Sequence, residues 1–442
     1  MKRFIVLLLA GVMAASTLAA CGTSSDTNET AAASQSTATE QAAQSGKQPA
    51  TAAAQSADSS QKSAQGQQAI TTANVTSNGV INASDMFTER DLTQTADTSS
   101  AQSLTVSDSN DLNITSAGVY VISGSASNAR IIVDAGDDDK VQLVLDNVTI
   151  DNSSTPAIYV KNADKVFVTT ASGSTNSLTV SGSFTADGDT NTDAVIFSKD
   201  DLVLNGQGAL NISSTDNGVT SKDDLKITGG TVNITCTSDA IEANESIAIA
   251  DGSITIKSGK DGLHAKNSDD NSTGFIYICG GSINITASGD GIQATTAAQI
   301  DGGTISISGS EGVEATYVQI NGGTVNVTAT DDGINGSNKS SAYSVTVEIT
   351  GGDVSVNMGQ GDTDAIDSNG NLYIKGGNVN ITAQSPFDYD GQGQLSGGTV
   401  TVNGSQVTEL TNQMMGGGMR GGMGGGQPGG MQGGPNGGMG GF

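Results

Sequence analysis

A parallel β-helix is the fold this sequence predicts, and three observations predict it. A Gly-Gly unit followed by a short alternating run recurs, with 20 to 29 residues between successive second glycines. The runs alternate with period two, which is strand spacing. The stretches between them carry no helical period.

The repeat has three parts. The first is Asp301-Gly302-Gly303-Thr304-Ile305-Ser306-Ile307, repeated as Asn321-Gly322-Gly323-Thr324-Val325-Asn326-Val327 and again at Gly229-Gly230, Gly280-Gly281, Gly351-Gly352, Gly376-Gly377 and Gly397-Gly398. Asp251-Gly252 and Gln207-Gly208 are degenerate copies. The second part is Asp261-Gly262-Leu263-His264-Ala265, with Asp290-Gly291-Ile292, Glu311-Gly312-Val313 and Asp332-Gly333-Ile334 as its relatives. The third is Leu225-Lys226-Ile227, with Ala298-Gln299-Ile300 and Val318-Gln319-Ile320. Three strands per rung of ~22 residues would stack Leu, Ile and Val inward and leave polar side chains outside. An antiparallel sandwich is the runner-up. It is disfavoured because similar side chains recur at one rung length, as stacking requires.

Composition agrees. Hydrophobic residues are 35% of 442 and charged residues 14%, with 60 Gly and no Trp. A narrow, long core needs fewer apolar residues than the roughly 45–50% of an average globular chain. The net charge of -28 argues against nucleic acid as a partner, because phosphate binding needs clustered Lys and Arg. It favours metal cations. A monomer is expected.

Taken in order, residues 1–20 read as an export signal, with basic Lys2 and Arg3 before an apolar stretch. Leu18-Ala19-Ala20-Cys21 resembles a bacterial lipobox, which implies cleavage before Cys21 and its acylation. The chain is then exported and lipid-anchored to the outer face of the bacterial cell membrane. Residues 21–85, rich in Ser, Thr, Ala and Gln, cannot bury enough surface to offset their ordering entropy and read as a disordered linker. Residues 86–413 form the β-helix domain. Within it, Phe87 to about Ser127 provides the N-terminal cap and first rungs, and 399–413 closes the other end. Residues 414–442 are a disordered Gly/Met-rich tail. Cys236 and Cys279 occupy different places in the repeat and are expected as buried free thiols.

Two columns carry the chemistry. Stacked rungs place equivalent residues about 4.8 Å apart. Asp239, Asp261, Asp290, Glu311, Asp332 and Asp364 precede the second run, and Glu242, His264, Gln293, Glu314, Asn335 and Asp367 follow three residues on. Adjacent carboxylates at that spacing repel by roughly 3 kcal/mol per pair at an effective dielectric near 20. Ca²⁺ takes six to eight oxygens and can bridge two rungs. The candidate ligands are therefore Asp239, Glu242, Asp261, Asp290, Glu311, Glu314, Asp332, Asp364 and Asp367, with Asp388 and Asp390 as weaker ones. Each alone also reads as a turn residue held by local hydrogen bonds.

The second column is basic. Ser198-Lys199-Asp200-Asp201-Leu202 recurs as Ser221-Lys222-Asp223-Asp224-Leu225, Asn244 and Lys266 follow, and Lys161 precedes. Lys161, Lys199, Lys222 and Lys266 beside Ca²⁺ suit a uronate-rich polysaccharide, whose carboxylates would meet ammonium and metal alternately. Simple pairing of each Lys with its neighbouring Asp is the competing reading. No zinc spacing, P-loop or dinucleotide fingerprint is present, and His264 reads as a rung residue. If the chain is an enzyme, a β-elimination lyase needs only Ca²⁺ and a basic side chain, for which Lys199, Lys222 or Lys266 are the candidates.

Phe87-Thr88-Glu89-Arg90-Asp91-Leu92, Gly118-Val119-Tyr120-Val121-Ile122-Ser123-Gly124, the run Ile132 to Leu145 around Asp137-Asp138-Asp139-Lys140, and Pro156 to Val166 resemble the bacterial carbohydrate-binding family of polysaccharide-lyase-like β-helix proteins. The resemblance covers roughly residues 86–442. It implies a right-handed parallel β-helix, export, Ca²⁺ sites and binding to cellulose or acidic polysaccharide. Kinship to pectate lyases does not by itself imply catalysis. Three functions follow as expectations: a Ca²⁺-containing polysaccharide-binding surface lipoprotein, a Ca²⁺-dependent pectate-type lyase, or a structural or adhesive solenoid.

Overall fold

The computed structural model of the chain describes residues 79–84, 86–359 and 363–412. The export signal, Cys21, the linker up to residue 78 and the tail 414–442 lie outside the described residues.

Alternating residues in the repeat put one side chain in and the next out, and parallel stacking turns each inward position into a ladder. Twelve strands from Leu112–Ile114 to Ser385–Tyr389 form one face, and twenty-four more form a second sheet. That sheet makes two faces at once. Its early strands Gly118–Ser127 and Lys140–Asn152 run round the corner between them, bending at Gly124 and Asn147 (φ 102 and 57). The chain is a parallel β-helix, as the repeat predicts. Leu202, Leu225, Ile247 and Ile276 show the stacking: they pair in register on four consecutive rungs and are at most 1% exposed. Each such buried side chain is worth about 1.5–3 kcal/mol.

The Gly-Gly turns stack because nothing larger fits. A Cβ on Gly322 would lie 2.4 Å from the Asp301 carbonyl oxygen of the adjacent rung. Its neighbour Gly323 sits at φ +79, a left-handed conformation that favours glycine. Cys236 and Cys279 are free thiols, Cys236 buried as expected and Cys279 only half-buried.

The N-terminal segment departs from expectation. Residues 79–84 and 86–97 do not cap the end of the solenoid. They form a strap across the outside of the second sheet, over the column Gln142, Phe167, Val203, Lys226, Ala248, Tyr277, Gln299 and Gln319. Val80 N–H donates to Gln319 Oε1 and Ile81 N–H to Gln299 Oε1, both at 2.7 Å. Phe87 packs on Tyr277, and the Arg90 guanidinium lies 4.4 Å above the Phe167 ring. The short helix Glu89–Leu92 in the strap starts with a capping box between Thr88 and Asp91. The boundary drawn at residue 86 thus cuts through a docked element, because the apolar residues Val80, Ile81 and Ala83 find partners on a sheet face. The first rung begins instead at Gln102–Thr105. At the far end, the antiparallel pair 399–402 and 405–407 ends the parallel stacking, with Val402, Val407 and Leu410 packed against the core.

Candidate functional site

The twelve-stranded face carries both predicted columns. Its outward side chains stack in register as Tyr159, Phe197, Thr220, Glu242, His264, Gln293, Glu314, Asn335, Asp367 and Asp388. The position before each strand holds Asp239, Asp261, Asp290, Glu311, Asp332 and Asp364. These turn carboxylates have a structural task. Asp239 Oδ1 accepts the Asp261 N–H at 2.9 Å, Asp261 Oδ1 the Asp290 N–H at 2.8 Å, and Asp332 Oδ1 the Asp364 N–H at 3.2 Å. In these three, one oxygen ties its rung to the next, and the second oxygens of Asp239 and Asp261 meet His264.

Three groups draw together within 4.8 Å: Asp239, Asp261 and His264; Asp290, Glu311 and Glu314; Asp364, Asp367 and Asp388. They differ in how far their charge is met. In the first, His264 Nδ1 lies 3.2 Å from Asp239 Oδ2 and 3.5 Å from Asp261 Oδ2. Asp239 is held below the usual carboxylate range: burial would raise it, but His264 and the Asp261 N–H outweigh burial. In the second, Lys339 Nζ reaches Glu314 at 2.7 Å, while burial and then the charges of Glu314 and Asp290 push Glu311 up to about 8. In the third, burial and the charges of Asp332, Asp388, Asp364 and Asp390 push Asp367 up to about 7, and no basic side chain forms an ion pair with it among the described residues. Asn335 lies in register between the second and third groups. It is 7% exposed; its Nδ2 donates to Glu311, and its Oδ1 accepts no hydrogen bond. Asp388 Oδ1 is likewise buried without a donor.

Of the remaining predicted ligands, Glu242 joins no group of three, because Lys222 Nζ pairs with it at 3.1 Å and Asn217 donates to its other oxygen. Asp332 stands between the second and third groups.

The lysines also stack. Lys199 N–H donates to Val160 O, the residue before Lys161; Lys222 N–H donates to Ser198 O, and Lys266 N–H to Ala243 O, with Asn244 on the rung between. Lys199 and Lys266 are exposed. Lys161 pairs with Asp187 at 2.9 Å and lies 5.1 Å above the Tyr159 ring. Lys222 sits 5.6 Å above Phe197. Lys222, Glu242, Asn244, His264, Lys266 and Ser268 line a cleft of about 410 Å³.

The lysine and carboxylate columns overlap on the rungs of Glu242 and His264, where Lys222 and Lys266 stand beside Asp239 and Asp261. Lys161 to Lys266 fill the early rungs, and their positions continue as Thr295, Ser337, Asn369 and Asp390 on the later ones. A ligand along the axis meets a basic block first and an acidic block second. Sequence reasoning missed the rings of Tyr159 and Phe197 beneath Lys161 and Lys222; their place two residues before Lys161 and Lys199 is the signal that could have found them. It also missed the buried cluster around Asp91, which no local pattern marks.

Against known proteins, a family model described as carbohydrate-binding domain-containing protein matches residues 108–360 and 309–415. A protein of Acetivibrio thermocellus with the same description is 38% identical over 125 residues, which are 28% of this chain and 44% of that protein. The chain thus matches less than half the length of that relative. A solved structure described as the polysaccharide lyase-like protein from C. thermocellum, gadolinium derivative, is 30% identical, covers 48% of this chain and 92% of its own, and superposes with a TM-score of 0.46.

Proposed function

The chain belongs to the family of carbohydrate-binding domain-containing proteins, and from that premise we propose that its twelve-stranded face binds an acidic, uronate-rich polysaccharide with the help of Ca²⁺. The observation that carries this reading is the division of one face into a lysine block and a carboxylate block in register, joined at the cleft between Lys222 and Lys266. Ammonium groups stacked on successive rungs match the repeated carboxylates of a polyuronate laid along the axis. The cleft floor supplies hydrogen-bonding groups in Asn244 and Ser268.

The acidic block fits a hard divalent cation. Asp364, Asp367 and Asp388 are an all-oxygen donor set, and Asn335 Oδ1 is a buried acceptor in want of a donor or a metal. Asp290, Glu311 and Glu314 form a second such set. Ca²⁺ accepts carboxylate and amide oxygens in flexible geometry; once bound it neutralises the column and can accept a sugar carboxylate. The group with His264 fits less well, since the imidazole already meets the charge of Asp239 and Asp261.

The chain reaches this ligand from the cell surface. Lys2 and Arg3, the apolar run after them and Cys21 support export and lipid anchoring, and two or more acyl chains give a stable membrane hold. Retention of the protein on immobilised polygalacturonate is the test. Retention with Ca²⁺ that is lost with EDTA supports the reading. Passage straight through in both conditions overturns it.

A further inference from the structure

The most enclosed charge among the described residues lies between the strap and the second sheet. Asp91 is 0% exposed. Lys165 Nζ lies 3.6 Å from its Oδ1, and Lys226 Nζ 3.5 Å from its Oδ2. Asp201 Oδ2 lies 3.3 Å from the same Lys165 nitrogen. Thr88 N–H donates to Asp91 Oδ2 at 2.9 Å, whereas Oδ1 accepts no hydrogen bond.

We propose that Asp91 and Lys165 condense into an intramolecular isopeptide bond that fixes the strap covalently to the side of the solenoid. The two lysines stand farther from Asp91 than the ~2.7–2.9 Å of a charge-assisted hydrogen bond. They touch the carboxylate without hydrogen-bonding to it. Four charges, those of Asp91, Asp201, Lys165 and Lys226, are therefore held largely out of water, which is costly even when they are paired. Amide formation removes two of them.

Each group has a part in the step. Lys165 must lose a proton to become a nucleophile, although burial, which lowers its pKa, is outweighed by the charges of Asp91 and Asp201, which raise it; Asp201 is in contact with its nitrogen to take that proton. Burial raises the Asp201 carboxyl above the usual range, which favours a carboxyl that holds and returns a proton. Asp91 Oδ2 becomes the amide oxygen. The Thr88 N–H and the Lys226 ammonium stand beside it, where negative charge develops as the nitrogen adds to the carboxyl carbon. Oδ1, which no donor holds, leaves. The ammonium gives up two protons and the carboxylate gives up Oδ1; together they are one water, and the N–C bond replaces the C–O bond. No oxidant or cofactor is required. Preorganisation of the two side chains raises their effective concentration, and the exclusion of water around Asp91 opposes the reverse hydrolysis.

The full chain, denatured and digested with trypsin, gives the test by tandem mass spectrometry. The bond predicts a branched peptide that joins Asp91–Arg130 to Asn162–Lys199, uncleaved at Lys165 and one water lighter than the sum of its parts. Asp201→Asn and Lys165→Arg should abolish the branch, and Lys226→Arg should retain it. Linear peptides with free Asp91 and cleavage at Lys165 overturn the proposal, provided that the undigested protein resists trypsin at Arg90 and so has its strap docked. A branch that survives Asp201→Asn overturns the proton-transfer role of Asp201.

Discussion

His264 Nδ1 lies 3.2 Å from Asp239 Oδ2, so the one histidine in the chain supplies a cation within a column of acids. Burial alone would lower its pKa. The hydrogen bond to Asp239 and the charges of Asp239, Asp261 and Glu242 outweigh burial and raise it above 6.5. A group raised in the folded state lends stability that is fully present below its unfolded pKa and is lost as pH rises through the folded value. His264→Gln, which places in this rung the side chain of the next (Gln293), should cost about 1–3 kcal/mol below that range and less above it. Because no other imidazole contributes, an NMR titration reads His264 directly; a midpoint at or below 6.5 would contradict the pairing.

The second and third groups shift stability in the same direction with pH, although their protonated form is neutral where that of His264 is charged. Burial first, then neighbouring carboxylates, lift Glu311 from 4.5 to about 8 and Asp367 from 3.8 to about 7. Folded protein then binds more protons than unfolded protein, so stability falls as pH rises between about 4 and 8. With EDTA present the melting temperature should drop across that window. Saturating Ca²⁺ should remove the drop, since binding to the folded state adds RT ln(1 + [Ca²⁺]/Kd). Asp367→Asn should flatten the EDTA profile and reduce the Ca²⁺-induced rise. Identical melting curves with Ca²⁺ and with EDTA at pH 8 would sink the metal assignment.

Lys199 and Lys266 are exposed, whereas Lys222 pairs with Glu242 and Lys161 with Asp187. Lys266→Ala and Lys199→Ala should each weaken binding to polygalacturonate several-fold, in keeping with ~0.2–1 kcal/mol for an exposed charge. The loss should shrink at high salt, where the wild-type interaction is itself screened. Melting temperatures should barely move. Equal affinity of the double variant and the wild type, measured by calorimetry at low salt, would place the ligand on another face.

The two columns were legible because a solenoid converts sequence spacing into spatial order. Lys199 and Lys222 share a five-residue pattern, and Asp261 and Asp290 precede the same run; parallel register then brings them together as adjacent rungs. What the spacing does not give is the compensation of each group. Whether Lys339 reaches Glu314, or Lys222 reaches Glu242, depends on loop paths and rotamers between rungs. The strap was not legible for a related reason. Val80, Ile81 and Phe87 show no repeat, and their partners Gln299, Gln319 and Tyr277 sit on outward positions that the period-two rule assigns to solvent. Asp91 reads locally as a helix-capping residue, which it is; its contacts with Lys165 and Lys226 come from rungs remote in sequence.

Gly322 shows how much of the fold rests on the turn stack. A methyl there would lie 2.4 Å from the Asp301 carbonyl oxygen of the preceding rung, a backbone atom with little freedom to move. Gly322→Ala must push two rungs apart and should destabilise by about 1–3 kcal/mol. Gly404, in the C-terminal hairpin turn, has φ +79 but nothing within 4 Å of an added Cβ. Gly404→Ala should therefore cost only the left-handed backbone penalty of about 1–2 kcal/mol. The two substitutions also differ in reach. In a solenoid each rung is stabilised mainly by its neighbours, so Gly322→Ala should speed amide exchange in the strands 304–309, 324–329 and 353–358, which stack around it, while Gly404→Ala leaves them unchanged. Exchange that rises uniformly along the whole solenoid in Gly322→Ala would mean that the rungs unfold as one cooperative unit, and that the turn stack transmits strain farther than nearest-neighbour contacts allow.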